Sequence, residues 1–245
     1  MATIKNIFKS LPIFKNLYRN LNNQFERDDF ILVELKKIQA GKVLLDAGCG
    51  SQRYRECCSH LNYKAQDFGQ YKYTTDLRKM IGSDGFSGEE EYKYGALDYV
   101  GDIWDIREQS NTFDAILCTE VLEHIPYPIE TIKEFSRLLK KDGKLILTAP
   151  SNCLRHMDPY FFYSGFSDRW HEKFLKENGF KIESIIPVGD YYSWLMVEMV
   201  RTATSHSIFA KLALIPAFLY FYNKSKTATS VDTLCMGYHV VATKI

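Results

Sequence analysis

The chain has no apolar run long enough to cross a bilayer. Its best candidate, Leu212 to Tyr222, falls far short of the ~20 residues a spanning helix needs and contains Pro216. A buried helix or the wall of an apolar substrate pocket is therefore expected there. It also lacks a surplus of either charge: 31 lysines and arginines face 30 acids, a net +1, so nothing global attracts a phosphate backbone and no nucleic-acid partner is expected. Its six cysteines include no C-x-x-C pair, which disfavours a redox motif and fits reduced thiols in a cytoplasmic protein. No histidine or cysteine spacing resembles a zinc or catalytic metal site, so no metal is expected. Met1 to Arg19 lacks the continuous apolar core and small-residue cleavage site of a signal peptide, and lacks any acid. Ile4, Ile7, Phe8, Leu11, Phe14 and Leu17 recur there at helical spacing, which suits a helix docked on the core or lying on a membrane surface.

The composition is ordinary for a globular protein, 46% apolar and 25% charged, and no linker or repeat divides it. One domain over 1–245 is expected: an N-terminal helical cap at 1–40, a core at 41–190, and a C-terminal segment at 191–245 with an apolar helix and a last strand. Phe25 to Ile38 reads as a helix ended by Ala40-Gly41. Strands follow at Val43–Leu45, Tyr63–Asp67, Leu97–Gly101, Phe113–Cys118 and Lys144–Thr148. A helix is expected after Gly50, another opens at Pro128 and runs to Leu139, and a third spans Asp168 to Asn178. Phe180–Val188 and Tyr238–Thr243 complete the strands. Strands alternating with helical segments indicate a doubly wound, parallel α/β sheet. Tyr71 to Gly95, rich in glycine and tyrosine with the acid run Glu89-Glu90-Glu91, breaks the pattern as one long connection.

The chemistry concentrates at strand ends. Val43-Leu44-Leu45-Asp46-Ala47-Gly48-Cys49-Gly50 is an apolar strand running into an acid and two glycines, the turn at which open α/β sheets hold nucleotides. Asp46, Asp67 and Asp102 end three successive strands or their turns. Asp67 is placed to accept from both hydroxyls of a ribose, while Asp102 can take an adenine amino group as Ile103 packs on the ring. Each acid alone could simply cap a helix. A dinucleotide site would use the same plan, but its G-x-G-x-x-G fingerprint is broken here by Arg53. Asp46, two residues before Gly48, suits an ammonium group, which favours S-adenosylmethionine over a nicotinamide cofactor.

Those residues, with Gly101-Asp-Ile103, Phe113-Asp-Ala-Ile-Leu-Cys-Thr-Glu-Val-Leu-Glu-His-Ile125 and Leu138-Leu-Lys-Lys-Asp-Gly-Lys-Leu-Ile-Leu-Thr-Ala-Pro150, resemble the class I S-adenosylmethionine-dependent methyltransferases over about residues 40 to 190. The closest likeness is to small-molecule methyltransferase-domain proteins associated with cell-surface sugars, lipids and secondary metabolites. One departure is Gln52 where the family usually has a third glycine. The resemblance implies a Rossmann-like sheet of seven strands, mostly parallel, with an antiparallel last strand and N-terminal helices. It also implies a cofactor site built from Asp46, Gly48, Gly50, Tyr54, Asp67, Phe68, Asp102, Ile103, Cys118 and Thr119.

Methyl transfer needs donor and acceptor held in line, and oxygen or nitrogen acceptors can need a base. His124 follows strand four beside the expected methyl position and is the leading candidate, with anchoring of its loop as the alternative. His156, after strand five, is the second candidate, against a simple surface histidine. Tyr160, Phe161, Phe162, Tyr163, Phe166 and Trp170 form either an acceptor wall or plain core. His171 is expected on a helix, in solvent. The expected function is methylation of a small, partly apolar acceptor at oxygen or nitrogen by a monomer or homodimer, with peripheral membrane contact an option. A non-catalytic cofactor-binding protein and a nicotinamide-dependent oxidoreductase are the alternatives.

Overall fold

In a computed structural model, residues 23–71, 93–205 and 208–245 are described; the expected helix within Met1–Arg19 and most of the Tyr71–Gly95 connection lie outside them. Seven strands form one sheet: β1 (Val43–Ala47), β2 (Asn62–Asp67), β3 (Tyr99–Val100), β4 (Phe113–Thr119), β5 (Leu139–Pro150), β6 (Phe180–Val188) and β7 (Gly237–Lys244). Their order is β3-β2-β1-β4-β5-β7-β6. β1 pairs in parallel with β2 and β4, and β4 with β5, whereas β7 runs antiparallel between β5 and β6. The order reverses between β1 and β4, and a doubly wound sheet opens its ligand crevice at that point.

Both faces of the central strands are buried, so they read as continuous apolar runs. Alternate residues go to opposite sides. Leu44, Ala115, Leu117 and Ile146 pack with Ile31 and Leu35 of helix α1 (Asn23–Lys37). Leu45, Ile116, Leu145 and Leu147 face the other way, against Ile132, Phe135 and Leu138 of α2 (Pro128–Leu138) and Leu175 of α3 (Asp168–Glu177). Pro128 sits at the start of α2, where its missing N–H costs no hydrogen bond. Ser167 caps α3, its side chain accepting from Trp170 N at 3.1 Å.

Four expectations are corrected. After Gly50 only a 3₁₀ turn forms, Arg55–Cys58. The third strand shrinks to Tyr99–Val100, because only Gln66 and Asp67 pair with it. His171 has no solvent exposure, since its face of α3 turns onto Phe166 and Tyr238 of β7. Leu212–Tyr222 does lie on a helix, α5 (Ile208–Tyr222), but that helix buries no residue and lines no part of the central cavity. It packs on α4 (Tyr191–Ser205), and its apolar residues encircle it with no polar face to turn outward. A short helix, α6 (Ala228–Thr233), leads into β7. Among the described residues no helix is long and apolar enough to cross a membrane.

Candidate active site

A cavity of about 410 Å³ opens over the carboxyl ends of β1, β2 and β4. Its floor is the turn after β1. Gly48 stands at φ +71°, and a Cβ there would come within 2.5 Å of Val121 Cγ2, so the backbone must stay bare. Gln66, at the end of β2, clamps this turn: its Oε1 accepts from Gly48 N at 3.1 Å, and its Nε2 donates to the Gly101 carbonyl at 2.7 Å. Gln52, in the place of the usual third glycine, also adopts a left-handed φ of +59°. Its amide supplies what a glycine would not, donating to the Ala96 carbonyl at 2.7 Å and accepting from Arg55 at 2.6 Å.

The carboxylates stand around this floor. Asp46 is 2% exposed and accepts from Tyr63 Oη at 2.5 Å. Burial, with Asp67 nearby, pushes its carboxyl up to about 7, although the Tyr63 hydroxyl pulls the other way. Asp67 is raised as well, by burial, and holds the loop together by accepting from Gly50 N at 2.9 Å and Gly69 N at 3.2 Å. Asp102 lies at the rim, with buried Ile103 and then Trp104 beside it. Tyr54 lines the wall and donates from its hydroxyl to Asp28 at 2.8 Å. Phe68 and Thr119 also face the cavity.

At the opposite end the loops after β4 and β5 are stitched together. Phe162 N and Tyr163 N donate to the Glu123 carbonyl at 2.9 and 3.2 Å, and His124 Nδ1 meets the Tyr160 carbonyl at 2.7 Å. His124, Met157, Tyr160 and Phe162 line this end. Burial, followed by the neighbouring His156, lowers the His124 ring to about 4 and keeps it neutral. Glu120 and Met157, both lining residues, hold positive φ values of +52° and +56°.

The fold therefore brings Asp46, Gly48, Tyr54, Asp67, Phe68, Asp102, Ile103, Thr119 and His124 to one cavity. It leaves Gly50, Cys118 and His156 off the wall. The Gly50 N–H is taken by Asp67, Cys118 is fully buried in the core, and His156 packs edge-on against His124 with ring centroids 4.6 Å apart. Of the expected aromatic wall, only Tyr160 and Phe162 reach the cavity; Phe166 is core. Reasoning from sequence missed Arg27, whose guanidinium pairs with Glu120 at 3.0 Å across the mouth, and Trp104. Trp104 had a signal, its place directly after Asp102-Ile103. Arg27 had none, being one basic residue among several on α1.

The bare turn, the buried carboxylates and the apolar side wall suit an adenosyl group joined to an amino acid. The fold is that of the class I S-adenosylmethionine-dependent methyltransferases, whose methyl donor is S-adenosylmethionine. Residues 19–185 match the methyltransferase-domain family, and the chain belongs to it. A ubiquinone biosynthesis O-methyltransferase of Xanthomonas oryzae pv. oryzae (strain PXO99A) is 30% identical over 109 residues, 44% of this chain and 43% of that protein. The chain thus matches less than half the length of this relative. A geranyl diphosphate methyltransferase solved with GPP and sinefungin superposes with a TM-score of 0.53 at 14% identity, covering 90% of this chain and 77% of that one. An S-adenosylmethionine-dependent methyltransferase of Methanosarcina mazei gives 0.51 at 15% identity, covering 87% and 97%.

Proposed function

We propose that the protein transfers the methyl group of S-adenosylmethionine to oxygen or nitrogen of a small, partly apolar acceptor. The observation that carries this is a single cavity with three strand-end carboxylates along one side and an aromatic, histidine-bearing pocket at the other end. The cofactor supplies an electrophilic methyl group on a sulfonium. Asp102 and Ile103 hold the adenine, Asp67 and Tyr54 the ribose side, and Asp46 with the Gly48 turn the ammonium end. Phe68 and Thr119 close the walls, while Gly50 and Cys118 contribute through the turn and the strand behind it.

The acceptor lies between Met157, Tyr160, Phe162 and His124. The Tyr160 carbonyl can only accept, so His124 Nδ1 keeps the ring proton and Nε2 keeps its lone pair, while the ring itself lines the acceptor end of the cavity. His156 supports that ring edge-on. Two chemical groups must be brought to attack distance in a partly dry site, and this positioning is the main service the residues perform. The relative that methylates in ubiquinone biosynthesis points to an oxygen acceptor in particular.

A lipid-linked acceptor reached from a membrane surface is the second reading. It is favoured by α5, where Phe209 is 79%, Ile208 61%, Tyr220 58% and Leu212 57% exposed. All six cysteines are free thiols, which fits a reducing cytoplasm. The test is transfer of labelled methyl from S-adenosylmethionine to a panel of phenols, hydroxylated isoprenoids and amines, with His124→Ala alongside. Turnover that falls while cofactor affinity holds supports the assignment; full turnover in His124→Ala refutes it. Flotation with liposomes, before and after serine replacement of Phe209 and Leu212, separates the two readings.

A further inference from the structure

The Glu123 carboxylate has no task in methyl transfer as described above. Its side chain is 2% exposed, Oε2 has no hydrogen-bond partner, and Oε1 stands 3.7 Å from His124 Nε2, too far for a hydrogen bond. A fold keeps such a group at considerable cost unless something compensates it. Two imidazoles surround it. His124 Nδ1 and His156 Nδ1 meet backbone carbonyls of Tyr160 and Leu154 at 2.7 and 2.8 Å. Carbonyls accept only, so each Nδ1 carries the ring proton and each Nε2 is left with its lone pair. Metal-binding histidines are oriented in this way, by a hydrogen bond from the nitrogen that does not ligate.

One donor atom each from Glu123, His124 and His156 lies within 4.8 Å of the other two. With Glu123 ionised, the three are all electron-pair donors, and a cation satisfies them together. Their sequence separation hid this. Glu123 and His124 follow β4, His156 follows β5, and the pairing of those two strands brings their loops side by side.

We propose that Glu123, His124 and His156 bind a divalent transition-metal ion at the acceptor end of the cavity. Two imidazoles with one carboxylate favour Zn²⁺, Mn²⁺, Fe²⁺ or Co²⁺ over Mg²⁺ or Ca²⁺. Three protein ligands leave coordination positions open, and His124, which lines the cavity, directs them toward an acceptor heteroatom or water. Metal–ligand bonds of about 2.0–2.2 Å require the three side chains to close in on loading, and half-exposed His156 has room to move. The role toward the acceptor rests on the methyl-transfer reading; the metal site itself does not.

Chelator-treated, untagged full-length protein is titrated with Co²⁺, read by visible absorption, and separately with S-adenosylhomocysteine by calorimetry. The expected result is one Co²⁺ per chain, displaced by Zn²⁺ and weakened at least tenfold in both His156→Ala and Glu123→Gln. Both variants are expected to unfold cooperatively and to bind S-adenosylhomocysteine within about twofold of the parent, because neither residue touches the three strand-end carboxylates. No Co²⁺ binding at millimolar concentration, or an unchanged affinity in either variant, overturns the site. Loss of S-adenosylhomocysteine binding with Co²⁺ retained overturns the methyl-transfer reading and leaves the metal site standing.

Discussion

Lowering the pH from 8 to 6 is expected to weaken cofactor binding about tenfold, through Asp46. Its carboxyl is 2% exposed and burial raises it to about 7, so it crosses from ionised to protonated within this interval. About ten-elevenths of the molecules carry the carboxylate one unit above that value and about one-eleventh one unit below, a ratio of about ten, or ~1.4 kcal/mol. An ammonium group requires the carboxylate, and a proton competes with it. Calorimetric titration with S-adenosylhomocysteine across this range, in buffers of different ionisation enthalpy, should show proton release on binding at pH 6. Asp46→Asn should bind more weakly at pH 8 and lose the pH slope. Tyr63→Phe removes the hydroxyl that stabilises the carboxylate and should move the fall in affinity to higher pH. Linkage has the opposite sign for the cofactor-free protein. A raised carboxyl binds more protons folded than unfolded, so its stabilising contribution is present below about pH 4 and is lost as pH rises to about 7. Affinity that is flat between pH 6 and 8, or an equal slope in Asp46→Asn, would refute the assignment.

Asp67→Ala removes the acceptor of two backbone N–H groups along with the proposed ribose ligand, and should weaken S-adenosylhomocysteine by about 2–3 kcal/mol in the same titration. Gly48→Ala forces a Cβ against Val121 at positive φ and should cost ~1–3 kcal/mol of stability as well as cofactor affinity; thermal melts with Val121→Ala added should recover part of it. His171, fully buried with neither ring nitrogen hydrogen-bonded, should be replaceable by leucine with no loss of stability, or a gain. Burial lowers the His171 ring to about 4, so its neutral form supports the fold above about pH 6.5 and that support is lost as pH falls toward 4. About 3 kcal/mol is at stake in the parent, and pH-dependent melting should show a shallower acid limb in His171→Leu.

The sheet was legible because its central strands bury both faces. Leu44 and Leu45, or Leu145 and Ile146, go to opposite sides, and an uninterrupted apolar run follows from that. Helix α2 announced itself through Pro128 and the inward spacing of Ile132, Phe135 and Leu138. Truncating Phe135 there should cost ~3–5 kcal/mol. The acids at the strand ends were equally readable, because the sheet places the ends of β1 and β2 beside one another wherever those strands occur. What failed depended on tertiary packing. His171 sits on a helix whose polar and apolar faces are clear, yet an imidazole can lie on either. The apolar sequence of α5 suggested a buried segment, but it has no buried residue. Glu123, His124 and His156 became a cluster only when β4 and β5 paired.

Binding of the methyl donor is the claim on which the rest depends, and calorimetric titration of S-adenosylmethionine into the folded full-length protein tests it most directly. Saturable binding at one per chain, substantially weakened in Asp67→Ala and abolished by competing S-adenosylhomocysteine, is expected. A cooperatively folded protein that gives no binding heat and no thermal stabilisation with either ligand would contradict it.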